Sequence, residues 1–347
     1  MTSSFESNTA AILLQRQGLL VTGQRPVPSP GSLEVLVRNK VVAANPSDWK
    51  IQSYGVLIDG FPAVLGSELT GVVAAVGSGV TRFKEGDRVM GFALGVLQAN
   101  SNKAAFQTYT LMDEAATAHL PDSLTFEEGA VLPVGMITAS IALFKSLGLP
   151  MREKAQHEQS AIVVWSGASA VGVAALQTAH ALGWSVFVTA SPKHHKWLKD
   201  LGATDAWDYR DSEVAPRIAQ AIKSEGLTIR GVVDARSEGS SFASVAAITN
   251  AAGSADRVKV GTLAAWPEDV SIPETVEVHH ADCSRFTQEY PEIGRWVFGG
   301  WLQKALEDEK VKSAPRPHLI DGGLGAVQKM LDCLKAGASG EKFIVKV

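Results

Sequence analysis

The chain has little cysteine: Cys283 and Cys333 are the only two among 347 residues. A disulfide framework and a cysteine-rich metal lobe are therefore excluded, and a reducing compartment is expected, with a cytoplasmic location. Charge of one sign is also scarce, since 32 basic against 36 acidic residues give a net charge of −4. That balance argues against nucleic acid or a membrane surface as a partner. No apolar run approaches the roughly 20 residues of a spanning helix, so none is expected. The polar start, Met1 to Asn8, lacks the apolar centre of a signal peptide. Internal repeats and low-complexity tracts are missing too. What remains is a chain long and apolar enough for two cored domains.

The most informative stretch is Ala161 to Ser191, AIVVWSGASAVGVAALQTAHALGWSVFVTAS. Ala161–Trp165 is a β-branched run suited to a strand buried on both faces. The small-residue turn Gly167-Ala-Ser-Ala-Val-Gly172 follows. Apolar positions at helical spacing (Val171, Ala174, Ala175, Thr178, Leu182) then run to Gly183, and Ser185–Thr189 reads as a second strand. Strand, glycine turn, helix and strand within about thirty residues make a dinucleotide-binding βαβ unit. The glycines admit a pyrophosphate to the helix N-terminus, whose free N–H groups and dipole favour its charge. Ser169 stands where the motif has its middle glycine, and its hydroxyl can donate to phosphate. A nucleophile elbow is excluded, because that motif needs glycine where Val171 stands.

An NAD site places Asp or Glu at the end of the second strand, for the ribose 2′-hydroxyl. Here the chain reads Thr189-Ala-Ser-Pro-Lys-His-His-Lys196, with no acid. Ser191 and Pro192 have the pattern of an N-cap and first helical residue. Lys193, His194, His195 and Lys196 bring positive charge where a 2′-phosphate would sit. The cofactor expected is NADP(H).

Elsewhere the first third is strand-like and punctuated by Gly and Pro, with runs at Ala11–Leu14, Leu19–Val21, Glu34–Ala43, Glu68–Gly77 and Gly86–Gly91. Such spacing indicates a barrel-like or sandwich-like β domain. Thr125-Phe-Glu-Glu128 is a capping-box pattern, opening helix through Val131–Leu147 with a break near Pro133–Gly135. Strand candidates at Ala206–Tyr209, Gly231–Asp234 and Arg257–Val260 alternate with helical patterns at Val214–Ser224 and Phe242–Thr249, as in a doubly wound parallel sheet. Pro291–Lys310 is aromatic and helical, and Gly340–Val347 reads as a terminal strand.

This order, together with several segments, resembles the medium-chain dehydrogenase/reductase superfamily. The segments are Val27-Pro-Ser-Pro-Gly31, Ala44-Asn-Pro-Ser-Asp-Trp-Lys50, Leu65-Gly-Ser-Glu-Leu-Thr-Gly71 and Val76–Val89. Ala130-Val-Leu-Pro133, the glycine turn, Ser191-Pro192 and Asp208-Tyr-Arg210 complete them. Within the superfamily the chain is most similar to the zinc-free fungal branch that contains trans-acting enoyl reductases of polyketide pathways. The resemblance implies a GroES-like β domain split in sequence and a Rossmann domain inserted before its final segment. The expected bounds are 1–130 for the GroES-like domain, 131–290 for the Rossmann domain and 291–347 for the return.

Zinc-dependent members carry Cys near position 45 and Gly-His-Glu near 66, where this chain has Asn45-Pro46 and Gly66-Ser67-Glu68. Both soft and imidazole ligands are missing, and His279, His280 and Cys283 have no common site spacing, so no metal is expected. The resemblance then implies NADPH reduction of a carbonyl-conjugated C=C bond, with hydride to the β-carbon and an enolate to be stabilised and protonated. It puts Lys50 by the nicotinamide ribose and the reacting end of the substrate, where its ammonium could offset enolate charge. The alternative for Lys50 is a surface lysine beside an Asn-Pro turn, with Asp48 and Trp49 as turn and packing residues. Asn45 joins the cofactor set, and Thr138 faces the nicotinamide unless it is a helix-interior threonine.

The resemblance also carries Ser166, Ala168, Ser169, Ala170 and Val171 to the pyrophosphate turn, and Ser191 with Lys193 or His194 to the 2′-phosphate. Tyr209 lies by the adenosine, or simply closes a sheet edge. By the same resemblance Gly261 and Thr262 are expected to border the nicotinamide, and Phe343, Ile344 and Val345 to return near the cofactor. Phe92, Leu94, Phe106, Met136, Trp266, Phe286, Trp296, Phe298 and Trp301 are pocket candidates that could equally be core. A carrier-tethered polyketide, a free enone and a quinone all fit an apolar pocket. An NADP-binding protein with a cyclising, structural or partner-binding role is the reading from another class. A monomer is expected, with a polyketide synthase as a possible partner.

Overall fold

The computed structural model describes residues 7–58, 60–152, 159–253 and 257–347. Of the polar start, Met1–Glu6 lie outside these. The chain divides into two compact units: Met1–Val134 with Phe298–Glu307 and Arg316–Val347, and Gly135–Val297 with Asp308–Pro315.

The first unit opens with β1 (Asn8–Leu13), β2 (Leu20–Arg25) and β3 (Glu34–Ala43), followed by helix α1 (Pro46–Tyr54). Then come β4 (Ala63–Val64), β5 (Glu68–Val76), β6 (Arg88–Phe92), β7 (Tyr109–Asp113) and β8 (Thr117–His119). The Asn-Pro turn expected as an alternative beside Lys50 is the start of helix α1. Pro46 presets the first helical φ, Asp48 accepts the Asn45 N–H at 2.7 Å, and Gly55 ends the helix left-handed.

Helices α2 (Phe126–Ala130) and α3 (Pro133–Ser140) follow, and α3 runs on into a π-helical turn, Ile141–Ser146. The Thr125 box is closed by Thr125 N–H to Glu128 at 2.8 Å and Glu128 N–H to Thr125 at 3.2 Å. The break falls at Val131–Leu132, because Pro133 cannot supply the N–H a continuous helix needs. Taken across that break, Phe126–Ser146 is nonetheless a 21-residue segment long and apolar enough to cross a membrane, which corrects the expectation of no such run. It is almost wholly buried within the protein, as a core helix is.

The second unit is a six-stranded parallel sheet. Its elements in chain order are β9 (Ser160–Trp165), α4 (Ala170–Ala181), β10 (Ser185–Thr189), α5 (His195–Asp200), β11 (Asp205–Trp207) and α6 (Val214–Ser224). After these come β12 (Thr228–Asp234), α7 (Ser241–Ala252), β13 (Val258–Thr262), β14 (Val276–His280) and α8 (Pro291–Trp296). The spatial order is β11-β10-β9-β12-β13-β14, so successive strands wind outward to either side of β9. A doubly wound sheet of this order binds its ligand at the carboxyl ends of the central strands, where the winding reverses. Ala161–Val164 are fully buried, as a strand covered on both faces requires. Helix α6 supplies Val214, Ala215, Ile218 and Ile222 to that core, one face at helical spacing.

A second π-turn, Val297–Trp301, and α9 (Leu302–Glu307) lead back to the first unit. There β15 (Arg316–Leu319), α10 (Val327–Ala336) and β16 (Glu341–Lys346) complete the seven-stranded sheet β15-β16-β3-β5-β6-β8, with β7 on β3. The pleat of β16 sends Phe343 and Val345 into the hydrophobic core of this unit. Lys342 and Ile344 project from the other face.

Candidate active site

In the second unit, the turn between β9 and α4 is built for close approach. Ser166 sits at φ +65°, and its N–H donates to Thr189 Oγ1 at 3.0 Å, while Gly167 N–H donates to Thr189 O at 2.8 Å. A Cβ on Gly172 would fall 2.2 Å from Ser166 O, so only glycine lets α4 start this near the strand. Ser169 caps α4, its Oγ accepting Gly172 N–H at 3.0 Å and donating to Ser166 O at 2.8 Å. This differs from the expected donation to phosphate, because the hydroxyl proton is already used within the turn. What α4 presents at its start is the first-turn backbone N–H groups, among them Ala170 and Val171, beside Ala168.

At the end of β10 there is no acid. Ser191 precedes a 3-10 turn and makes no side-chain cap bond, and Lys193 is exposed. Burial, aided by Lys193 and His195, pushes the His194 imidazole below its ordinary range. That shift disfavours the positive charge expected of His194 at this position. The His195 ring is turned to Ala190 O at 2.9 Å, and Lys196 pairs with Asp200 at 2.8 Å. Tyr209 follows β11 and is exposed beside the Asp208–Arg210 pair.

At the end of β13, Gly261 and Thr262 are buried, and the Thr262 hydroxyl has no hydrogen-bond partner among the described residues. Thr138, on α3, is buried and hydrogen-bonds the Cys283 thiol, whose pKa is raised by burial. Sequence reading missed Asp234 at the end of β12. Its carboxylate accepts Arg236 N–H at 3.0 Å, Ser237 N–H at 2.9 Å and the Ser241 hydroxyl at 2.7 Å, and Ser237 Oγ in turn accepts Leu263 N–H at 2.7 Å. The loops after β12 and β13 are thereby fixed together. Burial raises the Asp234 carboxyl above its ordinary range.

The first unit holds a separate cluster around Asn45. Gly66, at φ +96°, lies against Phe106, where a Cβ would come within 2.4 Å of the ring, and it turns the chain into Ser67 and Glu68. Glu68 is fully buried and forms an ion pair with Lys342, itself 4 % exposed. The ammonium also donates to Asn45 Oδ1 at 3.0 Å, and Asn45 Nδ2 donates to Glu68 Oε2 at 3.0 Å and Ser67 Oγ at 3.3 Å. Val134 N–H donates to Glu68 Oε1 at 2.9 Å. Asp48 lies beneath, with Ser67 Oγ 3.5 Å from its Oδ1. Burial raises the Asp48 carboxyl to about 7, against the opposing pull of the Asn45 N–H and Lys342.

Lys342 is the principal residue the sequence reading passed over. A charged side chain inside each of two apolar strands, Glu68 in β5 and Lys342 in β16, was the available signal. The donor set does not fit zinc: Asn45 and Ser67 stand at the ligand positions, and the one buried glutamate is already matched by an ammonium. Among the described residues no three His, Cys, Asp or Glu side chains converge, and His279 pairs with Glu277 at 2.6 Å.

Lys50 lies on α1, half-buried, with its Nζ 5.7 Å from the Trp49 ring centroid. Asn45 belongs to the cluster. Phe343, Ile344 and Val345 are buried in β16, the first and last as core. Among the pocket candidates, Phe92, Leu94, Phe106, Met136, Phe286 and Phe298 are buried, and Trp266 and Trp296 pack edge-on to Phe242 and Phe144.

Residues 31–122 match the alcohol dehydrogenase GroES-like domain. The trans-enoyl reductase tndF of Aspergillus flavipes is 38% identical over 345 residues, spanning 97% of this chain and 98% of that relative. The trans-enoyl reductase tazE of Aspergillus terreus is 42% identical over 234 residues, 65% of this chain and 77% of that protein. A mycobacterial protein solved in complex with NADPH shares the fold with a TM-score of 0.74 at 24% identity, covering 99% of this chain and 100% of that one. Similarity of this extent, on a split β unit and a doubly wound sheet in the expected order, leads to one conclusion: the chain belongs to the fungal trans-enoyl reductase branch of the medium-chain dehydrogenase/reductase superfamily.

Proposed function

We propose that the protein reduces a carbon–carbon double bond conjugated to a carbonyl, using NADPH and no zinc. The observation that carries this reading is the identity to a trans-enoyl reductase along almost the whole chain. NADPH, when bound, supplies the hydride that adds to the β-carbon. The first-turn N–H groups of α4 and the Gly172 approach fit a pyrophosphate, and the unpartnered Thr262 hydroxyl fits a polar group at the strand ends. Ser191 and Lys193 suit a 2′-phosphate, with the His194 ring as a further donor. Lys50 has the charge to stabilise an enolate oxygen and the reach to fix a ribose hydroxyl.

The proposed substrate is an apolar unsaturated acyl chain, presented to a monomeric enzyme by the carrier of a synthase. A panel of carrier-bound and free enoyl thioesters, enones and quinones, followed by NADPH absorbance, tests this. Thioester turnover is expected, faster on the carrier. Turnover of quinones alone contradicts the reaction, and equal turnover of free and carrier-bound chains contradicts the partner. Lys50→Ala should lower kcat on the order of 100-fold; unchanged kinetics remove Lys50 from the chemistry.

A further inference from the structure

Reduction of an enoyl substrate, the reading on which this inference rests, leaves an enolate whose α-carbon must take a proton. The Asn45 cluster has the charges to hold one. Asp48 and Glu68 are 1 % and 0 % exposed, and one cation, Lys342, is buried with them. That ammonium pairs directly with Glu68, whereas Asp48 Oδ2 accepts the Asn45 N–H and its Oδ1 lies 3.5 Å from Ser67 Oγ, a contact in which the hydroxyl donates to an ionised Asp48 and a protonated Asp48 donates to the hydroxyl oxygen. Two carboxylates against one ammonium leave a buried net negative charge unless one carboxyl is protonated, and Asp48 is the one without a directly bonded cation.

Among the described residues Lys342 is the one cation that acts on the Asp48 carboxyl. Lys335 of α10 donates to Ser53 Oγ at 3.2 Å, and its Nζ, like that of Lys50, lies 5.7 Å from the Trp49 ring centroid. Ser67 is the cluster member next to Asp48 that is only half-buried, and so leads from the carboxyl toward the surface of its unit.

We propose that Asp48 stores the proton for the α-carbon and that the Ser67 hydroxyl delivers it. The Ser67 O–H bond breaks as a C–H bond forms at the α-carbon, and the serine oxygen takes the Asp48 carboxyl proton in the same step. Asp48 is left as a carboxylate facing the Lys342 ammonium, and water restores its proton through the same hydroxyl. Ser67 is the catalytic residue in this scheme; Asp48 acts through it and Lys342 sets its charge. An Asp48 carboxyl that ionises at about 7 can both give and regain a proton near neutrality.

The test uses Ser67→Ala, which leaves the Asp48–Asn45 contact intact, with Ser67→Thr as the conservative partner. Reactions of an enoyl thioester with NADPH in D2O are followed for kcat, its pH profile and the facial selectivity of deuterium at the α-carbon. The wild type should place deuterium on one face, with kcat falling as pH rises through about 7. Ser67→Ala should lose on the order of 100-fold in kcat, along with that pH limb and the facial selectivity, and Ser67→Thr should keep all three. Wild-type turnover with Ser67→Ala unchanged in rate, profile and selectivity overturns the proton route alone. No wild-type turnover overturns the reduction itself, and this role with it.

Discussion

At the residue scale, Asp48 dominates the electrostatics of the β unit. Its carboxyl ionises at about 7 when folded, against about 3.9 in an unfolded chain. Because the folded value is raised, its contribution to stability is full below about 4 and is lost as pH rises through about 7. Asp48→Asn should therefore flatten the decline in Tm between pH 5 and pH 8, measured against the wild type in parallel melts. Equal slopes in the two proteins would show that Asp48 is not buried as an acid. Lys342 gives a second prediction. Lys342→Met strands Glu68 as an uncompensated buried charge and should cost about 3–5 kcal/mol in denaturant unfolding. Adding Glu68→Gln should recover most of that loss, since the pair then has no charge to desolvate.

At the element scale, the β9–α4 turn depends on a helix that starts within contact of its strand. Gly172→Ala puts a methyl 2.2 Å from Ser166 O, and the helix start must move away. NADPH affinity by fluorescence titration should fall at least about tenfold, with about 1–3 kcal/mol lost in stability. Unchanged affinity would place the pyrophosphate elsewhere. This turn was legible in sequence because short-range chemistry made it: a β-branched run, small residues, then helical periodicity. Helix α1 was less so, since Asn-Pro-Ser-Asp supports both a turn and the helix start it forms. Strand β15, four mostly exposed residues at a sheet edge, offers almost no pattern to read. The Asn45 cluster was hidden for another reason: Lys342 and Asn45 are 297 residues apart, and only the β16–β3 pairing brings them together.

At the scale of the whole molecule, the fold class and domain order could be read because two periodicities divide the chain. Alternating short strands mark the β unit, and strand–helix alternation marks the wound sheet. Charge placement was harder, as His194 shows: burial, with Lys193 and His195 beside it, lowers its pKa and disfavours the cation. On the proposed reading the cofactor preference would rest on Lys193 and Ser191. Ser191→Asp with Lys193→Ala should weaken NADPH binding and narrow its advantage over NADH, because a carboxylate then faces the phosphate. An unaltered ratio of the two Kd values would move the phosphate away from the end of β10.

On the proposed reading this chain carries hydride to the β-carbon of an enoyl group. The most direct measurement is the fate of deuterium from NADPH labelled at the nicotinamide C4, with an enoyl thioester as acceptor. One deuterium is expected at the β-carbon of the saturated product, delivered from one face of the cofactor. NADPH bound but unconsumed, or label found only in a reduced quinone or an alcohol, would contradict it.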